Sequence, residues 1–133
     1  MFAKLAILTV LIFNGIGSAL AHADDVVAKN KEQAKKLVTM VFPASTRDTM
    51  FKVVGCETGQ TYNPYAHNRS GASGYFQILS GHNGTTYKYN GISITVDSSR
   101  LFDPMYNTLV AYLMSNGGTN LSPWYSSRSC WAY

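Results

Sequence analysis

Residues 50–78 of the chain read MFKVVGCETGQTYNPYAHNRSGASGYFQI. The first third of this stretch predicts a helix, because Met50 and Val54 are one helical turn apart and face the same side. Gly59 follows at the place where a glycine commonly ends a helix. Glu57 comes three residues after Val54, so its carboxyl group lies in the last helical turn, on the side that otherwise buries apolar groups.

The position of Glu57 predicts a carboxyl group that holds its proton more tightly than a free glutamate does. Burial disfavours the charged form, and so does the negative end of the helix dipole. A carboxyl group that stays protonated is what a general acid needs, for example to donate a proton to a glycosidic oxygen as its bond breaks. The alternative, that Glu57 is simply exposed at a frayed helix end, agrees with the position equally well.

The segments that follow Glu57 carry a more specific signal. They are residues 57–59 (ETG), 63–66 (NPYA) and 70–78 (SGASGYFQI). In order and spacing they closely resemble the signature of soluble lytic transglycosylases and goose-type lysozymes. That signature is usually glutamate-serine-glycine, asparagine-proline-x-alanine and glycine-alanine-x-glycine-x-x-glutamine. A match in several parts is far more specific than one short motif.

The two ends of this region add a second resemblance. Cys56 and Glu57, together with the late Trp124 and Cys130, are similar to the cysteine-glutamate arrangement of resuscitation-promoting factors. These are related domains that also cut the cell wall. The resemblance as a whole covers about residues 47–131, whereas the first predicted helix and the predicted hairpin are less clearly matched.

The resemblance implies a mechanism with a single acid. Glu57 would protonate the oxygen between N-acetylmuramic acid and N-acetylglucosamine, while the acetamido group of the substrate assists at the anomeric carbon. No second carboxylate is then required, and the next acids along the chain, Asp97 and Asp103, stand in no motif typical of a nucleophile or base. In a transglycosylase the muramic acid 6-hydroxyl then closes a 1,6-anhydro ring, whereas in a lysozyme water attacks.

The resemblance also implies roles for residues around the acid. Ser70 matches the family serine or threonine that lies against the substrate, and Gln77 matches the glutamine beside the sugar cleft. Gly74 permits a positive φ and a close approach of backbone to ligand. Of Tyr75 and Phe76 we expect one in the core and the other, Tyr75, in the cleft, since tyrosine pairs an apolar ring with a hydrogen-bonding tip.

Tyr112 is the last site residue that the resemblance implies, because these families often place a tyrosine on a later helix near the glutamate. Its spacing from Asn107 is shorter than in the common transglycosylase pattern, and a half-buried helix tyrosine explains it equally well. Residues 80–82, Ser-Gly-His, also stand where proline-x-threonine often follows the glutamine. We therefore expect differences in the details of the sugar subsites.

The segments on either side predict further elements. Residues 25–42 carry apolar side chains at helical spacing, with a charged face rich in lysine. Ser45 and Asp48 form the pattern of a capping box, which predicts the start of the helix that carries Glu57. Residues 72–79 group several apolar side chains and predict a short buried helix.

A hairpin and a further helix follow. Residues 85–96 consist of two β-prone runs that flank Asn90 and Gly91, a strong hairpin signal. Residues 103–116 predict a helix with Asp103 as its N-cap. The expected fold class is therefore α+β, mainly α, and the resemblance makes it a small lysozyme-like domain with a short β-hairpin.

The first residues predict a secretory signal peptide. A lysine precedes an apolar run, residues 5–13, and small residues follow it. Cleavage after Ala21 or after Ala23 agrees with the pattern equally well. A membrane anchor is the alternative, but the run is about half of the roughly 20 residues that cross a bilayer. We predict a signal peptide over 1–23 and a lysozyme-like transglycosylase domain over 24–133, exported to the periplasm or outside the cell, without a stable membrane span after cleavage.

Cys56 and Cys130 are the only cysteines. Both lie in the exported portion, where the redox setting permits a disulfide, so we expect them to be paired and the aromatic tail to be docked across the helix that carries Cys56. The alternative is a reactive cysteine beside His67 or His82, but neither histidine stands in a recognisable thiol-protease context.

The charge balance points to the same surroundings. Removal of the leader takes one lysine from eleven Lys and Arg, so ten basic residues face seven acidic ones. A mild positive charge favours anionic polymers, which for an exported protein means the cell wall. No basic cluster resembles a DNA-binding patch, and the scattered histidines lack metal-ligand spacing. We expect peptidoglycan glycan strands as the partner, and no nucleic acid, metal or cofactor.

The function implied is a peptidoglycan lytic transglycosylase that leaves 1,6-anhydro ends. Two alternatives stay open at this point. One is a hydrolytic muramidase of the same fold, and the other is a glycan-binding or wall-assembly protein that keeps the cleft without the activity. The intact Glu57 argues against the second alternative.

Overall fold

Four helices and two small antiparallel sheets make up the part of the chain that the structure describes. The structure is a computed structural model that describes residues 15–133, with side chains from residue 22 onward. The elements, in chain order, are α1 Gly15–Val41, α2 Arg47–Glu57, β1 Ala72–Ser73, β2 Ile78–Leu79, β3 Thr86–Tyr89, β4 Ile92–Thr95, α3 Pro104–Met114 and α4 Arg128–Trp131. The mainly helical α+β class predicted from the sequence is confirmed.

The predicted leader is for the most part beyond this range. Its apolar run, residues 5–13, lies outside the described residues, and so the signal peptide stays a prediction. Among the helices that are described, none combines the length and the apolar character that crossing a membrane requires.

Helix α1 packs against α2 and α3 along one apolar stripe. Ala34, Val38 and Phe42 are buried on that stripe, at the spacing that the sequence predicted. The lysines of the charged face are exposed, and Glu32 lies 3.6 Å from Lys36 one turn away. Such an exposed pair adds little stability, so it is the buried stripe that holds α1 in place.

Helix α2 begins one residue later than the capping-box pattern predicted. Thr46, not Ser45, is its N-cap, and no side chain caps the first turn. The Thr46 hydroxyl instead donates a hydrogen bond of 2.7 Å to the carbonyl oxygen of Gly117, beyond α3. The predicted Ser45 cap was wrong, and the residue that takes the N-cap position uses its hydroxyl in a tertiary hydrogen bond and not in capping.

The end of α2 follows the prediction. The helix ends at Glu57, Gly59 has a φ of +61°, and the amide of Gln60 donates to the carbonyl oxygen of Gly55 at 2.7 Å. This is the hydrogen bond that closes a helix by a left-handed glycine. It places the carboxyl group of Glu57 at the negative end of the helix dipole.

Residues 72–79 form a tight hairpin, so the predicted short helix was wrong. Strand β1 pairs antiparallel with β2, with Ala72 opposite Leu79 and Ser73 opposite Ile78. The turn between them is stabilised from outside the segment, because the side-chain oxygen of Asn107 accepts a hydrogen bond of 3.0 Å from the amide of Phe76. Local apolar spacing carries no information about such a distant partner.

The second hairpin matches its prediction closely. Strand β3 pairs antiparallel with β4, and the ladder runs from the pair Thr86–Thr95 to the pair Tyr89–Ile92. Asn90 and Gly91 form the turn with φ values of +51° and +78°. Two consecutive positive values are typical of the type I′ turn, which matches the twist of the flanking strands.

Helix α3 is capped as the sequence predicted. One side-chain oxygen of Asp103 accepts hydrogen bonds from the amides of Met105 and Tyr106, at 3.0 and 3.2 Å. Pro104 occupies the first helical position, where its missing amide hydrogen costs nothing.

Replacing Asp103 by alanine should therefore lower the free energy of unfolding by about 1 kcal/mol, the usual effect of a lost N-cap. Urea denaturation of the two proteins measures this difference. Asp103→Asn, which keeps a side-chain oxygen at the cap, should retain most of the stability. Equal loss in the asparagine and alanine variants would contradict a capping role.

The C-terminal tail lies across α2 and is joined to it covalently. Cys56 and Cys130 form the predicted disulfide, with their Cα atoms 6.0 Å apart. Trp124 and Trp131 are both buried, and the indole N–H of Trp124 donates to the carbonyl oxygen of Phe76 at 2.8 Å. The tail therefore closes one side of the region into which Glu57 projects.

Candidate active site

Glu57 lies in a surface cleft of about 280 Å³ whose walls come from four parts of the chain, one of them the end of α3 at Met114. The end of α2 supplies Glu57, and the loop and hairpin that follow supply Ser70 and Gln77. The tail supplies further lining residues, among them Trp124 and Ser126. The structure thus brings together the acid and two of the predicted substrate-binding residues.

The carboxyl group of Glu57 is half-buried and held on one side. Its Oε1 accepts a hydrogen bond of 3.0 Å from the hydroxyl of Ser127. Burial raises the pKa of Glu57 above its ordinary value, and the hydrogen bond from Ser127 opposes part of that rise. This direction agrees with the prediction of a carboxyl group that holds its proton tightly.

Glu57 is the one carboxylate among the described residues that line the cleft. Asp103 caps α3, and Asp97 accepts hydrogen bonds from the backbone and hydroxyl of Ser99, which lower its pKa. Both are therefore occupied elsewhere. A mechanism that uses this cleft has one carboxyl group at its disposal.

Gln77 is held rigidly in the wall of the cleft. Its side-chain amide nitrogen donates to the carbonyl oxygens of Ala66 and Gly74, each at 2.9 Å. These bonds use both amide hydrogens, so the side-chain oxygen Oε1 is the group left to accept from a ligand. Gln77 also has a φ of +46°, an uncommon conformation for a side-chain-bearing residue and one often found at binding sites.

Gly74 serves the packing of the hairpin and is not part of the cleft wall. Its φ is +78°, as the prediction of a positive φ required. A Cβ atom at this position would collide with the side-chain amide of Asn107 and would lie 2.6 Å from the carbonyl oxygen of Leu101. Glycine is needed here because Asn107 and Leu101 approach the backbone closely, whereas the sequence-based expectation was a close approach to a ligand.

Tyr75 does not line the cleft, which corrects the expectation for this residue. Its side chain is fully buried, and so is that of Phe76. Burial raises the pKa of Tyr75 to about 12. Both aromatic residues of the hairpin turn belong to the core, because the turn folds inward onto α3.

Tyr112 is also placed away from the cleft. It packs edge-on against Phe42 and Tyr89, with ring centroids 5.6 and 5.5 Å away. Its hydroxyl oxygen accepts a hydrogen bond of 3.4 Å from the side-chain nitrogen Nδ2 of Asn90. It lines a different surface pocket together with Arg47. The alternative of a helix tyrosine outside the cleft therefore describes Tyr112, although its side chain is buried in the core and not half-buried.

The sequence predicted no site role for Ser127, His82 or Asn107. Ser127 bonds to the acid, His82 lines the cleft, and Asn107 supports the hairpin. The side-chain nitrogen Nδ2 of Asn107 also donates to the carbonyl oxygens of Ser73 and Leu101, each at 2.9 Å. Asn107 could have been noticed as a polar residue on the buried face of α3. No local sequence pattern indicates a role for Ser127.

In the described part of the chain, no three His, Cys, Asp or Glu side chains come together as a metal ion would require. Comparison with protein-family models, with curated proteins and with solved structures gives no match to this chain. The function is therefore inferred from the residues of the site and from the motif resemblance.

Proposed function

We propose that this protein is a lytic transglycosylase that cuts the β-1,4 bond between N-acetylmuramic acid and N-acetylglucosamine in peptidoglycan. The observation that carries the proposal is Glu57, a half-buried carboxyl group with a raised pKa in a cleft beside Ser70 and Gln77. These are the residues at which the sequence resembles soluble lytic transglycosylases and goose-type lysozymes. Chemistry and resemblance thus meet at one site.

Glu57 acts first as an acid and then as a base. Its protonated carboxyl group donates to the glycosidic oxygen, so that N-acetylglucosamine leaves as a neutral hydroxyl. The acetamido oxygen of the muramic acid residue attacks the anomeric carbon and holds the positive charge in a cyclic oxazolinium ion. The 6-hydroxyl then attacks the same carbon, the acetamido group is released, and the Glu57 carboxylate takes up the hydroxyl proton.

The presence of a single carboxylate in the cleft supports a mechanism in which the acetamido group of the substrate acts as the nucleophile. Glycosidases of the ordinary kinds need a second carboxyl group, about 5 to 9.5 Å from the acid, as nucleophile or base. Glu57 has no such partner among the described residues that line the cleft. The acetamido group supplies the nucleophile, so one protein carboxyl group is enough.

The surroundings of the cleft suit an amino-sugar chain in an exported protein. The Gln77 oxygen is available to accept from an acetamido N–H or a sugar hydroxyl, and Ser70 adds a hydroxyl at an exposed edge of the cleft. The disulfide is typical of an oxidising compartment, which agrees with the predicted export to the periplasm or outside the cell. Peptidoglycan lies there.

Mass spectrometry of wall digests tests the proposal. Purified protein, processed at the predicted signal cleavage, is incubated with peptidoglycan and the soluble muropeptides are weighed. We expect muropeptides with 1,6-anhydromuramic acid ends, each one water lighter than the reducing product. Reducing ends alone would identify a hydrolytic muramidase. Retention on peptidoglycan without any soluble product would identify a glycan-binding protein and overturn the enzymatic proposal.

A further inference from the structure

The C-terminal tail reaches the acid through one hydroxyl group. Ser127 Oγ lies 3.0 Å from Glu57 Oε1, 3.1 Å from the carbonyl oxygen of Trp124 and 3.1 Å from the indole nitrogen of Trp131. The Trp131 N–H donates, so Ser127 accepts from it. The single hydroxyl hydrogen of Ser127 then has two possible acceptors, Glu57 and Trp124.

This arrangement satisfies both protonation states of the acid. When Glu57 is ionised, Ser127 donates to it. When Glu57 carries its proton on Oε2, Oε1 is a carbonyl oxygen and still accepts from Ser127, more weakly than an ionised carboxylate does. The Ser127 oxygen accepts from the Trp131 N–H in both states, so the serine keeps its place.

Ser127 is itself held in place. Trp131 is buried and its indole N–H is shared between Ser127 Oγ and the carbonyl oxygen of Trp124, the latter at 3.2 Å. Trp131 follows Cys130, whose disulfide partner Cys56 directly precedes Glu57 in the chain. Ser127 and Glu57 are therefore connected twice, through the nearby disulfide and through their own hydrogen bond.

We propose that Ser127 is a positioning residue for Glu57, which holds Oε1 through both protonation states so that Oε2 faces the substrate for proton transfer. Oε2 makes no hydrogen bond with any residue in the described range, so it is the oxygen left for the glycosidic bond. Ser127 does not line the cleft, so it acts on the substrate only through Glu57. The inference rests on the proposed function for its catalytic part.

Other basic side chains lie on the elements that surround this pair. His82 lines the same cleft, and its Nδ1 lies 2.7 Å from the hydroxyl of Tyr87. Arg128 of α4 lies over the ring of Tyr125, 5.7 Å from its centre, and Lys52 of α2 donates to the carbonyl oxygen of Tyr133. Burial and the hydrogen bond from Ser127 are the causes of the shift in the pKa of Glu57, so its titration reports mainly on these two.

The test measures Glu57 directly. The chain contains two glutamates, Glu32 and Glu57, so ¹³C labelling of glutamate carboxyl groups gives two signals and the exposed Glu32 serves as an internal reference. In Ser127→Ala the titration midpoint of Glu57 should move to higher pH, because the ionised form loses its donor. Ser127→Thr keeps the hydroxyl and should restore the wild-type midpoint.

Activity gives the second measurement. Ser127→Ala should lower kcat on peptidoglycan about tenfold, the factor that one lost hydrogen bond produces, while KM stays the same. The alkaline limb of the pH profile should move upward with the midpoint. Ser129→Ala is the matched control, because Ser129 is exposed on α4, two residues after Ser127, and lies outside the network.

The two proposals fail in different ways. An unchanged Glu57 midpoint in a folded Ser127→Ala protein, as judged by its melting temperature, would overturn the positioning role. An upward shift that threonine reverses would support it even if the wild-type protein released no muropeptides, and that outcome would overturn the enzymatic function alone. Equal effects of Ser127→Ala and Ser129→Ala would also reject a specific role for Ser127.

Discussion

Replacing Glu57 by glutamine should reduce peptidoglycan cleavage by a factor of roughly 10² to 10⁴, the contribution typical of a general acid. The amide has nearly the same shape and can still bond to Ser127, but it has no proton to donate to a leaving oxygen. Release of soluble muropeptides, followed over time at equal protein concentration, measures the loss.

Glu32→Gln is the matched control for this variant. Glu32 is exposed on α1, so the same chemical change there should leave the activity unchanged. The Glu57→Gln protein should still sediment with insoluble peptidoglycan, because the walls of the cleft are intact. Full cleavage by Glu57→Gln would reject the acid assignment, whatever the fold of the domain.

The same substitution has an effect on stability with a defined sign. Burial holds the pKa of Glu57 in the folded protein above its value in the unfolded chain. Between those two values the folded state binds more protons, so the free energy of unfolding falls as the pH rises through this window. The Glu57→Gln variant lacks this loss. Urea titrations at acidic and neutral pH should show the variant gaining stability relative to the wild type as the pH rises.

Local patterns were enough to predict most of the framework. The stripe of α1, the Asp103 cap and the Asn90–Gly91 turn each need only neighbouring residues to form, and each lies where the sequence placed it. The hairpin over residues 72–79 was missed because Asn107, 31 residues away from Phe76, supplies its supporting hydrogen bond. Such a contact outweighs local propensity and leaves no periodic pattern.

The candidate site shows the same contrast between residues that local patterns predict and residues that depend on distant contacts. Glu57 and Gln77 could be located because each stands in a motif that local structure presents to the cleft. The side chain of Tyr75 is buried in the core, and a motif match does not predict the direction in which a side chain points. Ser127 reaches Glu57 from 70 residues along the chain, and only the docked tail brings it there. Residues that support an acid from a distant segment lie beyond what local sequence patterns predict.

Removing the disulfide should have the largest effect on stability. Cys56 and Cys130 are 74 residues apart in the sequence, and in the chain-entropy model such a loop stabilises the folded state by about 4 kcal/mol. A domain of this size has about 5 to 15 kcal/mol in total. The double variant Cys56→Ser, Cys130→Ser should therefore melt roughly 20 °C lower, since each kcal/mol corresponds to about 4 to 8 °C in small domains.

The wild-type protein under strong reducing conditions should melt with the double variant, whereas reductant should leave the double variant itself unchanged. This comparison separates the lost cross-link from any effect of the serine side chains. Since the tail carries both Ser127 and Trp131, the reduced protein should also lose cleavage activity at temperatures where α2 is still folded. Complete reduction is checked by measuring two free thiols per chain. If the melting temperature is then unchanged, the buried tryptophans alone hold the tail in place beside Glu57.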